Sequence, residues 1–296
     1  GSLMTNPRIR LHNAKVGIVP LNWKYDPNLK EKFLSEIAQY GFAGIQVSGE
    51  QAESLEFRNL MKKYSVAPAE QYLPIKCNED GLLPGAEAEA ELIIKQAAGA
   101  GVEMIVFAAD GSEDRDRSAG NADNGPGLSE LGFKVMAEFV ERHAAVAATR
   151  GMKSSFHPHG ATYIETPRET KKLMAMLSEK IGLCLDVGHW IVGGGDPVLA
   201  VSDYGDRISH VHVKDVSGDV LAKMISKEVE TMGFAVDELK LFVPAGTGLL
   251  KVKELFIAID KLNYSGWLMS EQDTAWEPSQ EASAVSMANI QAALTS

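Results

Sequence analysis

Residues 156–160 read FHPHG, residues 185–189 read LDVGH and residues 209–215 read SHVHVKD. Each of these polar motifs follows a short apolar run with the length of a buried strand, at 152–156, 181–185 and 208–211. Five of the seven histidines lie in this part of the chain. Buried strands that end in ligand-type side chains are typical of a parallel barrel, which carries its active site at the carboxyl ends of its strands.

The same strand signal recurs along the whole chain and alternates with helix signals. Eight strands are predicted, at 15–19, 44–47, 66–73, 104–108, 152–156, 181–185, 208–211 and 266–270. Eight helices are predicted at 29–40, 53–64, 86–100, 128–149, 252–262 and 281–294, and after the capping pairs Thr166-Pro167 and Asp196-Pro197. Four of them end in a residue suited to a left-handed cap, namely Gly41, Gly101, Gly151 and Asn263.

This alternation is compatible with a doubly wound sheet or with a closed barrel. Polar groups follow several strands instead of one switch point, so we predict an α/β fold with a single (β/α)8 TIM barrel. The predicted domain covers residues 14–296, and residues 1–13, which include an expected expression remnant before Met4, form an N-terminal tail. Long insertions are predicted at 109–127, a lid or a disordered loop, and at 216–247, with helical character near 220–232.

Composition narrows the classes of partner. The formal net charge is −11 and the isoelectric point is near 5.2, so phosphate backbones and anionic membranes would be repelled. We expect a small-molecule substrate, no nucleic-acid or membrane partner, and a possible homo-oligomer. No apolar segment approaches the ~20 residues of a membrane span and no signal peptide is recognisable, so a cytoplasmic location is expected. The two cysteines have no metal-ligand spacing.

A fourth polar strand end lies outside the central segment, where the apolar run at 266–270 leads directly into Glu271. If the four strands are neighbours, His157, Asp186, His212 and Glu271 converge on one point. A divalent metal is the natural occupant, because two carboxylates offset its charge. Two imidazoles favour Mn, Co, Zn or Fe over Mg or Ca, which prefer oxygen ligands.

Each of these residues also has a simpler explanation. A single histidine at a strand end is more often a hydrogen-bonded core residue. Asp186 and Glu271 taken alone could be surface salt-bridge partners. Four ligand-type residues at four strand ends favour the common site over four separate coincidences.

The motifs together resemble the inosose dehydratases, a branch of the xylose-isomerase-like TIM barrels, over roughly residues 14–295. The resemblance is carried by His157-Pro158-His159-Gly160-Ala161-Thr162, by Asp186-Val187-Gly188-His189, by the run from Arg207 to Asp215, and by Gly266-Trp267 through Glu271-Gln272-Asp273. Two positions depart from that pattern. Gln46 stands where the dehydratases have a glutamate, and Val216 is followed by Ser217 where an arginine is usual.

The resemblance implies a divalent metal at the barrel mouth, with Mn or Co favoured and Zn or Fe as alternatives. It implies that His157, Asp186, His212 and Glu271 hold the metal and that His189 and Lys214 face the substrate. We treat His189, Lys214 and Glu271 as the catalytic candidates. Lys214 has a simpler reading too, as a surface lysine paired with Asp215.

Substrate contacts are predicted for Trp23, Gln46, His159 and Trp190. The rings of Trp23, Tyr72 and Trp190 are suited to stacking on a sugar, and equally to core packing.

The predicted function is a metal-dependent carbon–oxygen lyase that dehydrates an inosose-like keto-polyol through an enediolate. In related epimerases two metal-bound glutamates exchange protons across the sugar, but the first of those positions is His157 here, which favours a lyase. The alternative is a ketose isomerase or epimerase that uses the same enediolate. A DNA-repair nuclease of the apurinic endonuclease branch and a non-catalytic sugar-binding barrel are less favoured alternatives.

Overall fold

The structure is a computed structural model that describes residues 14–271 and 279–295. Eight parallel strands follow one another around a closed barrel in chain order, and the last pairs with the first, which confirms the predicted TIM barrel. The barrel strands are β1 Lys15–Val19, β2 Gly44–Gln46, β3 Ala67–Ile75, β4 Met104–Ala109, β5 Lys153–Phe156, β6 Ile181–Asp186, β7 Ile208–Val213 and β10 Trp267–Glu271, and an antiparallel pair, β8 Asp215–Val216 and β9 Phe242–Val243, lies apart from them. The N-terminal tail and Gln272-Asp273 lie outside the described residues.

The helices surround the barrel. They are α1 Lys30–Gln39, α2 Gly49–Glu53, α3 Leu55–Lys63, α4 Ala86–Ala100, α5 Glu113–Ser118, α6 Glu130–Thr149, α7 Pro167–Met176, α8 Val187–Val192, α9 Pro197–Tyr204, α10 Gly218–Ile225, α11 Met232–Asp237, α12 Val252–Lys261 and α13 Ser279–Thr295. Gly41, Gly101, Gly151 and Asn263 all have positive φ angles, as the predicted left-handed caps require.

The helix predicted at 53–64 is α3, Leu55–Lys63. A short helix that the sequence did not indicate, α2, lies directly before it. Ser54 has an extended backbone, ends α2 and begins α3, where its hydroxyl accepts a hydrogen bond from the Phe57 amide. Ser48 caps α2 in the same way and forms a capping box with Gln51. Serine caps therefore separate the two helices, because a serine hydroxyl competes for backbone amides.

The main apolar core lies between the strands and the surrounding helices and includes the fully buried rings of Phe57, Phe107, Phe139 and Phe156. The inside of the barrel is more polar. Glu70 on β3 accepts a hydrogen bond from His210 on β7, and these strands stand on opposite sides of the barrel. Their contact therefore crosses the barrel interior.

A bulge between β2 and β3 sets the position of Glu70. Ile45 pairs with Pro68, but the next residue, Gln46, pairs with Glu70, so the register skips one residue. Pro68 has no amide hydrogen to give to the ladder, and bulges are where sheets tolerate such a residue. The bulge brings Gln46 beside Glu70, and the Gln46 amide donates to Glu70 Oε2 at 2.9 Å.

Two insertions meet at the carboxyl ends of the strands. The segment predicted as a loop at 109–127 contains α5, and Asp116 on that helix accepts a hydrogen bond from the Gly233 amide of α11. Arg115 is fully buried and forms a two-pronged ion pair with Glu169 of α7. These contacts attach α5 to both the barrel and the second insertion. Within the described ranges, no helix combines the length and apolarity needed to cross a bilayer.

Glu165, which lies in this region, makes the free energy of unfolding depend on pH. Its carboxylate is buried and accepts hydrogen bonds from the Ala161 and Gly120 amides. Burial, opposed by those bonds and by Arg115, raises the pKa of Glu165 to about 7. The folded protein therefore holds a proton on Glu165 that the unfolded chain releases, so the contribution of this group to the free energy of unfolding falls as pH rises from the unfolded pKa through about 7.

We expect the free energy of unfolding of wild type to fall over this range by about 3 kcal/mol relative to that of Glu165→Gln, because all other titrating groups are common to the two proteins. Urea unfolding at a series of pH values between about 5 and 8 measures it. The exposed Glu228 provides the matched control, Glu228→Gln, which should titrate like wild type. Parallel curves for wild type and Glu165→Gln would contradict the assignment.

Candidate active site

The ends of β5, β6, β7 and β10 bring the four predicted ligand residues together. His157 Nε2 lies 3.2 Å from Asp186 Oδ2, and His212 Nδ1 lies 3.6 Å from the same oxygen. Ligand atoms of Asp186, His212 and Glu271 all lie within 4.8 Å of one another. All four side chains are buried. The register explains the meeting, because Asp186 pairs with His212 across β6 and β7.

Asp186 is held in place by the helix that follows it. Its Oδ1 atom caps α8 by accepting a hydrogen bond from the His189 amide at 2.9 Å. The other oxygen, Oδ2, is thereby turned toward His157, His212 and Lys214. One carboxylate both starts a helix and contributes to the site.

Lys214 is not a surface residue. Its ammonium is buried, lies 3.4 Å from Asp186 Oδ2, contacts Glu271 Oε1, and sits over the ring of Phe242 at 4.6 Å. The alternative of an exposed pair with Asp215 is therefore wrong. The Asp215 carboxylate instead accepts backbone hydrogen bonds from residues 216, 246, 248 and 250, and so ties the second insertion to the barrel.

Neighbouring charges set the protonation of the site. Burial alone would raise the pKa of Asp186, but the Lys214 ammonium and the histidines around it hold that pKa well below the usual range. Burial lowers the pKa of His157, whereas at His212 the effect of burial is outweighed by Glu70, and the pKa is raised well above its ordinary value. A metal bound through His212 must displace a proton.

A carboxylate that the sequence motifs did not indicate, that of Glu70, lies beneath the site. Glu70 Oε1 accepts hydrogen bonds from His212 Nε2 at 2.6 Å and His210 Nε2 at 2.9 Å. An acidic residue inside an apolar strand was the available signal, because a buried charge is rarely left unpaired. Gln46, predicted to contact substrate, contacts Glu70 instead.

The donor set fits a divalent metal. Because Glu70 occupies His212 Nε2, the Nδ1 atom of that ring is directed to Asp186 and has no hydrogen-bond partner among the described residues. Two carboxylates and two imidazoles provide charge and mixed oxygen and nitrogen ligands. A carboxylate behind a metal-binding histidine is the usual device that fixes its ring and tautomer.

A cavity of about 310 Å³ opens beside this cluster, between the two insertions. His159, His189 and Phe242 line it, together with Tyr72, Asp110, Asp116, Met232 and Asp237. Three of these residues are acidic, and neither lysine nor arginine lines the cavity among the residues that the structure describes. The cavity therefore suits an uncharged ligand better than an anion.

Two predicted substrate contacts are in the core instead. Trp23 packs edge-on against Phe33 and Tyr40, and its indole nitrogen donates to Ser283. Trp190 is buried and packs against Tyr204. Core packing, the alternative open for both rings, is what the structure shows. Tyr72, by contrast, does line the cavity.

A larger depression of about 540 Å³ lies at the opposite end of the barrel, where Lys15 and Lys153 begin their strands. The ligand-type cluster is at the carboxyl ends, which is where barrels of this kind perform chemistry. Size alone is therefore a poor guide to the active site here.

Comparisons with known proteins agree with this fold. An inosose dehydratase from Clostridium beijerinckii is 30% identical, and the match covers 90% of this chain and 93% of that protein. A D-allulose 3-epimerase from Methylomonas superposes with a TM-score of 0.72 at 16% identity, covering 98% and 100% of the two chains. The IolI protein, solved with a zinc atom, gives 0.69 at 14% identity, covering 95% and 98%.

The two solved structures support the fold alone at such low identity. A family model described as the xylose isomerase-like TIM barrel matches residues 34–292. That range contains all four residues of the candidate metal site and both insertions around the cavity. The chain belongs to the xylose isomerase-like TIM barrel family.

Proposed function

We propose that this protein is a metal-dependent lyase that removes water from an uncharged keto-polyol of the inosose type. The observation that carries the proposal is the cluster of His157, Asp186, His212 and Glu271 beside a cavity whose lining, in the described part of the chain, includes no lysine or arginine. The inosose dehydratase relative, which this chain matches over most of its length, supports the same reaction.

The four clustered residues would hold the metal. Mn²⁺ or Co²⁺ suits this mixed set best, with Zn²⁺ or Fe²⁺ as alternatives. When bound, the metal supplies Lewis-acid stabilisation of negative charge on the substrate oxygens. We propose a cytoplasmic location for such a polyol-degrading enzyme, in line with its acidic composition.

Side chains of the protein would supply the acid and the base of the reaction. Dehydration needs one group to take the proton next to the ketone and one to protonate the departing hydroxyl. Lys214 and Glu271 contact each other at the mouth of the barrel, and His189 lines the cavity. We assign the proton transfers to this group of three residues.

A ketose isomerase or epimerase remains the second candidate, because it would need the same enediolate. The residue at the end of β5 argues against it. His157 offers an imidazole there, hydrogen-bonded to Asp186, so Glu271 lacks a glutamate partner at that strand end with which to exchange a proton across the sugar.

Incubating the metal-loaded protein with inosose in deuterated water distinguishes the two candidates. We expect the substrate to lose water and a diketone to appear. NMR and mass spectrometry detect both changes. Deuterium incorporation with an unchanged formula would indicate the isomerase instead. Full activity after the metal is stripped, or no reaction with any inosose or ketose, would refute the metal-dependent lyase.

A further inference from the structure

The backbone of Gly160 is hydrogen-bonded to two stacked histidines in the cavity wall. The rings of His159 and His189 have centroids 3.7 Å apart and are tilted by 33°. The Gly160 amide donates to His189 Nδ1 at 2.9 Å, and its carbonyl bonds His159 Nδ1 at 2.6 Å. One residue therefore contacts both rings, through opposite ends of its backbone.

These two bonds fix different tautomers. A carbonyl can only accept, so the proton of a neutral His159 ring is on Nδ1 and its Nε2 carries a lone pair. A backbone amide can only donate, so His189 Nδ1 carries the lone pair and the proton of that neutral ring is on Nε2. An amide donor at Nδ1 requires a neutral His189 ring, and an imidazole with the reference pKa of about 6.5 is neutral above about pH 7, so at such a pH each ring carries one proton.

Close packing at Gly160 makes the arrangement specific. A Cβ atom on this residue would lie 2.7 Å from Met232 Sδ and 3.2 Å from His189 Nδ1. A larger residue would therefore need the Met232 side chain to move and the His189 ring to give way by a few tenths of an ångström. The absence of a side chain at Gly160 permits the close approach of the ring to the backbone.

Both rings line the cavity, and His159 is close to the candidate metal site, with its centroid 5.5 Å from that of His157. Within residues 14–271 and 279–295, no hydrogen bond reaches Nε2 of either ring. A ligand in the cavity would therefore meet one acceptor and one donor side by side.

We propose that His159 and His189 form a matched acceptor and donor pair that reads two neighbouring oxygens of the polyol. His159 Nε2 accepts a hydrogen bond from a substrate hydroxyl, and His189 Nε2–H donates one to the adjacent oxygen. This inference rests on the proposed keto-polyol substrate. It also narrows the chemistry, because His189 in this tautomer has no free lone pair and the proton acceptor must be Lys214 or Glu271.

Long-range ¹⁵N NMR of the zinc-loaded, histidine-labelled protein tests the tautomers without any turnover. His159→Gln and His189→Gln identify the two sets of signals. We expect a pyridine-type Nε2 for His159 and a pyrrole-type Nε2 for His189, and both should shift when myo-inositol, a non-reacting polyol, is added. The reverse tautomers, or rings that do not respond to the polyol, would overturn the proposal.

Steady-state kinetics of leucine and glutamine variants test the roles of His159 and His189 in substrate binding. Removing one neutral hydrogen bond is worth about 3-fold to 10-fold, so His159→Leu and His189→Leu should raise KM by about that factor or more. His189→Gln, which keeps an N–H donor, should recover most of the loss. A substrate lacking the hydroxyl read by His159 should be discriminated by wild type and not by His159→Leu.

The two proposals can fail separately. If no turnover is observed, the proposed lyase activity is wrong. The NMR result then decides by itself whether His159 and His189 form the proposed pair. If instead turnover persists in His189→Leu with KM unchanged and kcat reduced at least about 100-fold, His189 transfers a proton and the pair assignment is wrong. Metal content equal to wild type shows that each variant keeps its fold.

Discussion

The His212→Ala variant is expected to lose metal and turnover together. The Nδ1 atom of His212 lies 3.6 Å from Asp186 Oδ2, and ligand atoms of Asp186, His212 and Glu271 lie within 4.8 Å of one another. Loss of residues that merely orient a ligand weakens metal binding by about 10-fold to 100-fold, so loss of the ligand itself should exceed about 100-fold. Metal content after dialysis and turnover of inosose measure the two effects.

His143→Asn is the matched control for that variant. His143 lies on α6, on the outside of the barrel, where its Nε2 atom contacts Glu87. It should retain metal and turnover at wild-type values. A His212→Ala protein that still binds one equivalent of metal, or turns over without it, would contradict the site.

Glu70 is expected to affect the affinity for the same metal through its hydrogen bond with His212. Its carboxylate is fully buried and holds both His210 and His212 by their Nε2 atoms. In Glu70→Gln the side chain keeps its shape and loses its charge, so metal affinity should fall by about 10-fold to 100-fold with the fold intact. Titration with Co²⁺, followed by absorption and calorimetry, reports both affinity and ligand geometry.

Glu70→Ala should destabilise the protein far more than Glu70→Gln. Removing one member of a buried charged network costs about 3–5 kcal/mol, because two imidazole groups are left without their acceptor. The exposed Glu91 on α4 supplies the control, Glu91→Gln, for which neither stability nor metal affinity should change. Unaltered Co²⁺ affinity and spectrum in Glu70→Gln would show that the carboxylate only fills space.

The sequence by itself determined the barrel and the members of the cluster. Strand and helix periods are local properties of the chain, and eight alternations indicate eight βα units. A polar residue directly after a buried parallel strand lies at the carboxyl end whatever the details of packing. His157, Asp186, His212 and Glu271 could therefore be gathered at one end of the barrel from their positions alone.

Only the tertiary structure decided which side chains face the cavity, the core or each other. Trp23 and Trp190 are of a residue type that is common in sugar-binding sites. Both are core residues here, because helices distant in sequence pack around them. Glu70 meets His210 and His212 only because the barrel closes, which brings β3 opposite β7. The tautomers of His159 and His189 likewise depend on how α8 and the backbone at Gly160 approach each other. Such contacts join residues far apart along the chain, so no local period encodes them.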